Sequence, residues 1–204
     1  MSENSVKEEI AALEAQIFEQ TLRLQALRQN YKGGEVANYQ FATLQGEVSL
    51  LDLFAHHNKL LVIHNMGQGC RYCTLWADGF NGMLQHLESA LSVVLVSKDT
   101  PQVQRRFANE RGWRFRLASH GGGDYIREQA VQAGTENMPG AVVYEREGDT
   151  IRRTNDCVFG PGDLYCSAWH MLALAGLGEA QWTPQFNYWT RPAQLDDGGA
   201  NLLV

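Results

Sequence analysis

Two short apolar runs constrain the fold most: "LLVIHNM" at Leu60–Met66 and "LSVVLV" at Leu91–Val96. Neither contains Gly or Pro, and the second is rich in β-branched residues, so both read as buried strands. Neither approaches the roughly 18 apolar residues that a membrane span needs. The segment between them reads as a helix from Cys73 to Ala90, weakened at Gly79 and Gly82. Two buried strands joined through a helix predict a parallel core sheet with helices on both faces.

The flanking segments extend this α/β pattern. Thr100 and Pro101 open a helix as N-cap and first residue, and Gly112 ends it. Tyr39–Leu44 alternates like a strand, and Val48–Phe54 reads as a short strand or turn leading into one helical turn. Trp113–Ala118 reads as a short strand, and the segment from there to Asn137 is ambiguous. Ala141–Arg146 and Thr150–Asp156 form a hairpin around Glu147–Asp149. Gly162–Leu177 reads as a last helix, apolar enough to pack on the sheet.

Residues 5–31 read as one long helix. Ser5 and Glu8 have capping-box spacing. Ile10, Leu13, Ile17, Leu24, Leu27 and Tyr31 recur at steps of three and four, with Gln20 interrupting, and Gly33–Gly34 stop the helix. Such a helix either packs on its own domain or pairs with a second copy in a homodimer. The predicted organisation is a helical extension at 1–34, a central domain at 35–178 and an aromatic C-terminal extension at 179–204. In the last, Trp182, Phe186, Tyr188 and Trp189 cover the sheet, meet a partner or form an apolar lip, and "DDGGAN" forms a loose end.

The net charge of -6 argues against a general nucleic-acid binder. The acidic start, "MSENSVKEEIAALEAQ", lacks the basic region and apolar core of a signal peptide, which predicts a cytoplasmic protein. In that reducing compartment the four cysteines are not expected to be structural staples.

Cys70 and Cys73 stand at C-x-x-C spacing, between the first buried strand and the helix. A helix N-terminus offers free amides and partial positive charge, both of which favour a thiolate over a thiol. Arg71 adds to that field. Cys73, one turn on, can attack a mixed disulfide formed at Cys70. Cys70 is therefore the candidate nucleophile and Cys73 the candidate resolving thiol. A structural zinc site would need four ligands. No second C-x-x-C exists, the "AHH" at 55–57 reads as surface, and His86 and His170 fall in helices. No metal is expected.

These residues resemble the thioredoxin-like superfamily. More narrowly, "CRYCTLWADGFNG", "FRLASHGGGDY" and "MPGAVVYEREGD" resemble a bacterial family of unknown function whose members are described as predicted dithiol–disulfide oxidoreductases or isomerases. The likeness spans Tyr39 to Leu177, and its most specific element is C-x-x-C-x-x-W-x-D-G. It implies a thioredoxin-like three-layer sandwich with a mixed sheet, no cofactor, and thiol–disulfide exchange with a protein or small-molecule thiol or disulfide. It also implies a cis Met138–Pro139 bond beside the dithiol, and substrate contacts from Met138, Pro139, Arg71 and Tyr72. The sequence departs from better-studied thioredoxins in four ways. Arg-Tyr lies between the cysteines, Gly69 rather than Trp precedes them, Gly140 follows Pro139, and His64 stands near the position of a usual buried acid.

Four further residues are candidate auxiliaries. His64 either accepts a proton from Cys73 or is a hydrogen-bonded core histidine. Trp76 packs in the core or forms a platform. Asp78 serves the helix dipole and its neighbours, or catalysis. Cys157 pairs with Pro139 when nine residues are counted each way from Gly148, which places it at the dithiol end of the sheet. Together with Cys166 it either relays a disulfide or is a small buried hydrophobe. "HGGG" at 120–123 lacks an accompanying G-x-S-x-G and any phosphate-loop Lys-Ser/Thr. Two other function classes stand beside the oxidoreductase. One is a thioredoxin-fold binding protein or redox-responsive adaptor. The weaker one is a peroxiredoxin-like peroxidase, for which the sequence offers no Thr/Ser-x-x-Cys followed by a suitably placed Arg.

Overall fold

The two apolar runs pair directly. A computed structural model describes residues 3–186. In it β4 (Lys59–His64) and β5 (Ser92–Ser97) lie parallel, with Val62 opposite Val94. The helix between them, α2 (Arg71–Glu88), makes the crossover. The described elements before β4 are α1 (Glu3–Asn30), β1 (Gly34–Val36), β2 (Gln40–Thr43), β3 (Gly46–Ser49) and a 3-10 turn at Asp52–Phe54. After β5 come α3 (Pro101–Arg111), β6 (Arg116–Ser119), α4 (Asp124–Gln129), β7 (Gly140–Glu147), β8 (Thr150–Val158) and α5 (Ser167–Leu174). The eight strands form one mixed sheet in the order β1-β8-β7-β4-β5-β6-β2-β3. Only β4, β5 and β6 run parallel to their neighbours among one another; the outer pairings are antiparallel.

Alternation along the central strands sends side chains to two cores. Leu60, Val62, Val94 and Val96 face Tyr125 and Ile126 of α4 and Phe54 of the 3-10 turn. Ile63, Val93 and Leu95 face Trp76, Phe80 and Leu84 of α2, Ala108 of α3 and Trp169 of α5. Helices thus cover both faces, giving the thioredoxin-like three layers.

Several boundaries move for identifiable reasons. Helix α2 begins at Arg71, because Cys70 is its N-cap rather than part of the loop before it. Helix α1 begins at Glu3, so Ser5 lies inside the helix and not at its cap. Helix α5 starts only at Ser167, because the chain before it is spent on a turn around Asp163, whose carboxylate accepts the Gly160 and Tyr165 amides. Only Trp169 of that helix is buried, so most of it does not pack on the sheet. Strand β6 starts at Arg116 because Trp113 still bonds back to Ala108 of α3.

The hairpin register also differs from the count around Gly148. The turn centres between Gly148 and Asp149, and a bulge at Val143/Tyr144 shifts the pairing by one more residue. Cys157 therefore lies opposite Ala141, not Pro139. Phe159 instead donates its amide to the Pro139 carbonyl, at 2.9 Å.

Residues 4–23 of α1 are exposed throughout, and only Leu24 and Arg28 are half-buried. At the other end, Trp182 packs edge-on against Trp169, with centroids 5.7 Å apart. The Phe186 carbonyl accepts a bond from Arg111 at 2.7 Å. Tyr188, Trp189 and the "DDGGAN" segment lie outside the described residues.

Candidate active site

The dithiol loop is fixed by side chains just past the ends of β4 and β5. Beyond His64, Asn65 continues the β4–β5 pairing through its amide to Val96, and its side-chain oxygen accepts the Gly67 amide at 2.8 Å. Gly67 has φ +108°, and a Cβ there would lie 2.8 Å from the Asp99 carboxylate, so only glycine fits. Asp99 in turn accepts the Gln68 amide at 2.7 Å. The loop arrives at Cys70 with its geometry already set.

Cys70 and Cys73 lie with their sulfurs at disulfide-bonding distance and their Cα atoms 5.3 Å apart. Cys70 Sγ accepts the Cys73 amide at 3.1 Å, the bond a side-chain oxygen usually takes at an N-cap. Its carbonyl is held by the Thr74 amide and hydroxyl at 3.0 and 2.9 Å. Cys70 is half-buried, whereas Cys73 is 3% exposed and its Sγ accepts the Met66 amide at 3.4 Å. The outer sulfur can meet a substrate, and the inner one can meet only the outer.

An open cleft of about 510 Å³ fronts Cys70, lined also by Arg71, Tyr72, Lys98, Asp99 and Asn137. Arg71 is exposed, with its guanidinium 5.8 Å from the Tyr72 ring centroid. Tyr72 stacks on Trp169 and donates to Glu179 at 3.2 Å. Met138 is half-buried against the α4-side core, and Pro139 is buried. Gly140 pairs with His64, so Pro139 stands just past the end of β4, at the same sheet end as the dithiol loop.

The auxiliary candidates separate clearly. His64 shares the face of Leu60 and Val62, opposite to α2, and its Nε2 lies 2.7 Å from the Tyr125 hydroxyl. Burial holds its imidazole neutral, with a pKa pushed down to about 3. It is a core histidine bonded to tyrosine. Trp76 donates to Asp163 at 2.8 Å and stacks on Phe159. Asp78 accepts from Trp113 at 2.7 Å and from Arg111 Nε at 3.0 Å, and forms an ion pair with Arg111. The Trp and Asp of the C-x-x-C-x-x-W-x-D-G motif thus tie α2 to the α5 approach and to the end of α3.

Cys157 is half-buried on the α2 face, one strand further from β4 than β7. Burial pushes its thiol up to about 11, the direction of an unreactive thiol. Burial also raises the thiol of Cys166, the N-cap of α5. No group of three or more His, Cys, Asp or Glu suited to a metal ion occurs among the described residues. Nor is any described helix long and apolar enough to cross a membrane.

Sequence reasoning missed Asn65, Lys98, Asp99 and Asp163. Of these, Asp163 had a readable signal: it follows Gly-Pro-Gly, a turn composition.

Known structures share the fold at low identity. A mutant form of peroxiredoxin Q from Xanthomonas campestris is 16% identical, with a TM-score of 0.52 over 67% of this chain and 88% of that one. Peroxidoxin BcpB from Mycobacterium tuberculosis is 17% identical, with a TM-score of 0.52 over 71% and 94%. Reduced Prx3 from Vibrio vulnificus is 15% identical, with a TM-score of 0.52 over 70% and 97%. No curated protein matches the chain. A family model described as "Bacterial protein of unknown function (DUF899)" matches residues 4–194, nearly the whole length. The chain belongs to that family.

Proposed function

We propose that the protein is a thiol–disulfide oxidoreductase or isomerase in which Cys70 attacks and Cys73 resolves. The observation that carries this reading is the asymmetry of the pair: two sulfurs at bonding distance on a helix N-terminus, one facing a cleft and one buried. The Cys73 amide and the N-terminal dipole of α2 favour a thiolate at Cys70. That thiolate attacks one sulfur of a substrate disulfide. The S–S bond breaks, and the departing thiolate takes a proton from water. Cys73, as thiolate supported by the Met66 amide, then attacks Cys70 Sγ and expels the second substrate thiolate. The substrate gains two electrons, the Cys70–Cys73 disulfide holds the oxidised state, and an external thiol reductant restores the pair. Run backward, the same steps oxidise a dithiol. Arg71 and Lys98 beside the cleft favour a substrate with carboxylates near its sulfur, and Asn137, the residue before Met138–Pro139, also lines it.

A second reading, a thiol peroxidase, is favoured by the fold neighbours, which are a peroxiredoxin and a peroxidoxin. Against it, Gly67 stands where a hydroxyl residue three before the reactive Cys70 would be expected, and the Asp99 carboxylate fills the space beside it. The test compares wild type with Cys70→Ser and Cys73→Ser in disulfide reduction and in peroxide turnover. The oxidoreductase reading expects disulfide reduction lost in both variants and little peroxide turnover in wild type. Peroxide turnover far above disulfide reduction would select the peroxidase.

A further inference from the structure

The largest feature that the dithiol leaves unexplained is α1. It is 28 residues long, about 42 Å at a 1.5 Å rise. Val6, Ile10, Leu13, Ile17, Leu27 and Tyr31 stand on one seam, each between 37% and 63% exposed. With Gln20 and Leu24 the steps run four, three, four, three without a break, the a/d pattern of a coiled coil. Phe18 and Leu22, also exposed, lie off this seam. A contiguous apolar stripe of this length marks an interaction surface.

Charge along the helix selects the occupant. Residues 3–19 carry five Glu and one Lys, whereas residues 20–32 carry Arg23, Arg28 and Lys32 with no acid. Two parallel copies would set Glu9 against the partner's Glu14 and Arg23 against the partner's Arg28, in the flanking positions where pairing is decided. Two antiparallel copies in full overlap set Glu9 against the partner's Asn30 and Glu14 against the partner's Thr21, so no acid meets an acid. Lys7 faces the partner's Arg28, and as wholes the acidic half of each lies along the basic half of the other. A receiving surface is present there. A cleft of about 660 Å³ runs beside the C-terminal half of α1, lined by Leu24, Arg28, Tyr31, Lys32, Lys59 and Leu164. Lys59 is paired with Glu145, and Arg28 donates to the Tyr165 hydroxyl at 2.6 Å; Lys32 has no ion pair among the described residues.

We infer that two copies of this chain pair antiparallel through α1, each placing its acidic N-terminal half along the basic half of its partner and the adjoining cleft. Full overlap stacks Val6 on the partner's Tyr31, Ile10 on the partner's Leu27 and Leu13 on the partner's Leu24. Ile17 meets the partner's Gln20, so the polar seam residue lies at the middle of the pair.

Sedimentation equilibrium of the full chain at micromolar concentration tests the pairing. The expected mass is twice 22.8 kDa. Leu13→Glu/Ile17→Glu should give monomers with unchanged circular dichroism and dithiol activity, because both side chains are exposed. A monomeric wild type, or a double variant that stays dimeric, overturns the proposal. An amine-reactive cross-linker about 11 Å long reads the orientation. Within one chain Lys7 lies in α1 and Lys32 two residues past its end, and the helical part alone separates them by about 35 Å, beyond its reach. A Lys7–Lys32 cross-link in the dimer is expected; a Lys7–Lys7 cross-link instead overturns the antiparallel arrangement.

Discussion

The same substitution, Gly to Ala, should change stability in opposite directions at two places that bracket the site. At Gly140 a Cβ would lie 2.2 Å from the Cys157 carbonyl oxygen and 2.8 and 2.9 Å from the two Val131 methyls. Ordinary contact begins near 3.4 Å, so β8 must retreat by about 1 Å at the Gly140–Val158 pair. Overpacking of that size costs about 2 kcal/mol, and a weakened ladder hydrogen bond about 1 kcal/mol more. The expected loss for Gly140→Ala is about 3 kcal/mol. At Gly79 and Gly82, on exposed positions of α2, an added Cβ meets nothing within 4 Å, and neither glycine has positive φ. Each Ala there should gain about 1 kcal/mol from helix propensity alone. Urea unfolding with linear extrapolation reads both effects. With a slope of about 2–3 kcal/mol/M, the midpoints should move roughly 1 M down and somewhat under 1 M up. A Gly140→Ala protein within about 0.5 kcal/mol of wild type would refute the close β7–β8 approach beside Pro139, since surface-like substitutions fall in that range. A destabilised Gly79→Ala/Gly82→Ala protein would refute the placement of both glycines on the open face.

Two further outcomes follow from the groups around the dithiol. Asp78→Asn should lower unfolding free energy by about 2 kcal/mol, because it removes the charge opposite Arg111. It should leave the disulfide-reduction rate within about twofold, a difference near 0.4 kcal/mol. A rate loss far larger than the stability loss would mean a catalytic Asp78. Acid should also destabilise the fold through two histidines. His64 and His120 have folded pKa values of about 3 and about 4, below the ordinary 6.5, with burial the main cause in both. Both groups therefore stay neutral in the native state while the unfolded chain takes up protons. Their stabilisation is complete above pH 6.5 and is lost as pH falls toward 4 and 3. Between pH 6 and 5 each should remove about 1 kcal/mol per pH unit. Urea midpoints should thus fall over this range, with a shallower fall in His64→Gln, and equal midpoints at pH 7 and 5 would contradict the burial argument.

The parallel core was legible because its strands are buried on both faces and so are apolar without interruption. Helix α3 was legible because Thr100, Pro101 and Gly112 are local signals, and each takes its expected place. The hairpin was legible as a hairpin but not in register. Counting from Gly148 misses both the two-residue turn and the bulge, and each moves Cys157 one residue away from Pro139. Strand β1 carries no signal: it is three residues long, begins at Gly34 directly after the Gly33 turn, and exists only because β8 offers an edge. At the site, C-x-x-C between strand and helix was readable from local order. The roles of Trp76 and Asp78 were not, because their partners lie 87 and 33 to 35 residues away. The same holds for His64. Its position in the sequence suggests the dithiol, and the parity of β4 turns it to the other face.

The most direct measurement is the redox equilibrium of the dithiol itself. Wild type, Cys70→Ser and Cys73→Ser are equilibrated in thiol–disulfide buffers and trapped with an alkylating reagent. Wild type should lose two thiols together in one two-electron transition and reduce a disulfide substrate catalytically. Cys73→Ser should accumulate a mixed disulfide at residue 70, and Cys70→Ser should form none at residue 73, where the thiol is buried. Mixed disulfide forming equally at either cysteine, or disulfide reduction that survives in both variants, would contradict the assignment of Cys70 as nucleophile and Cys73 as resolving thiol.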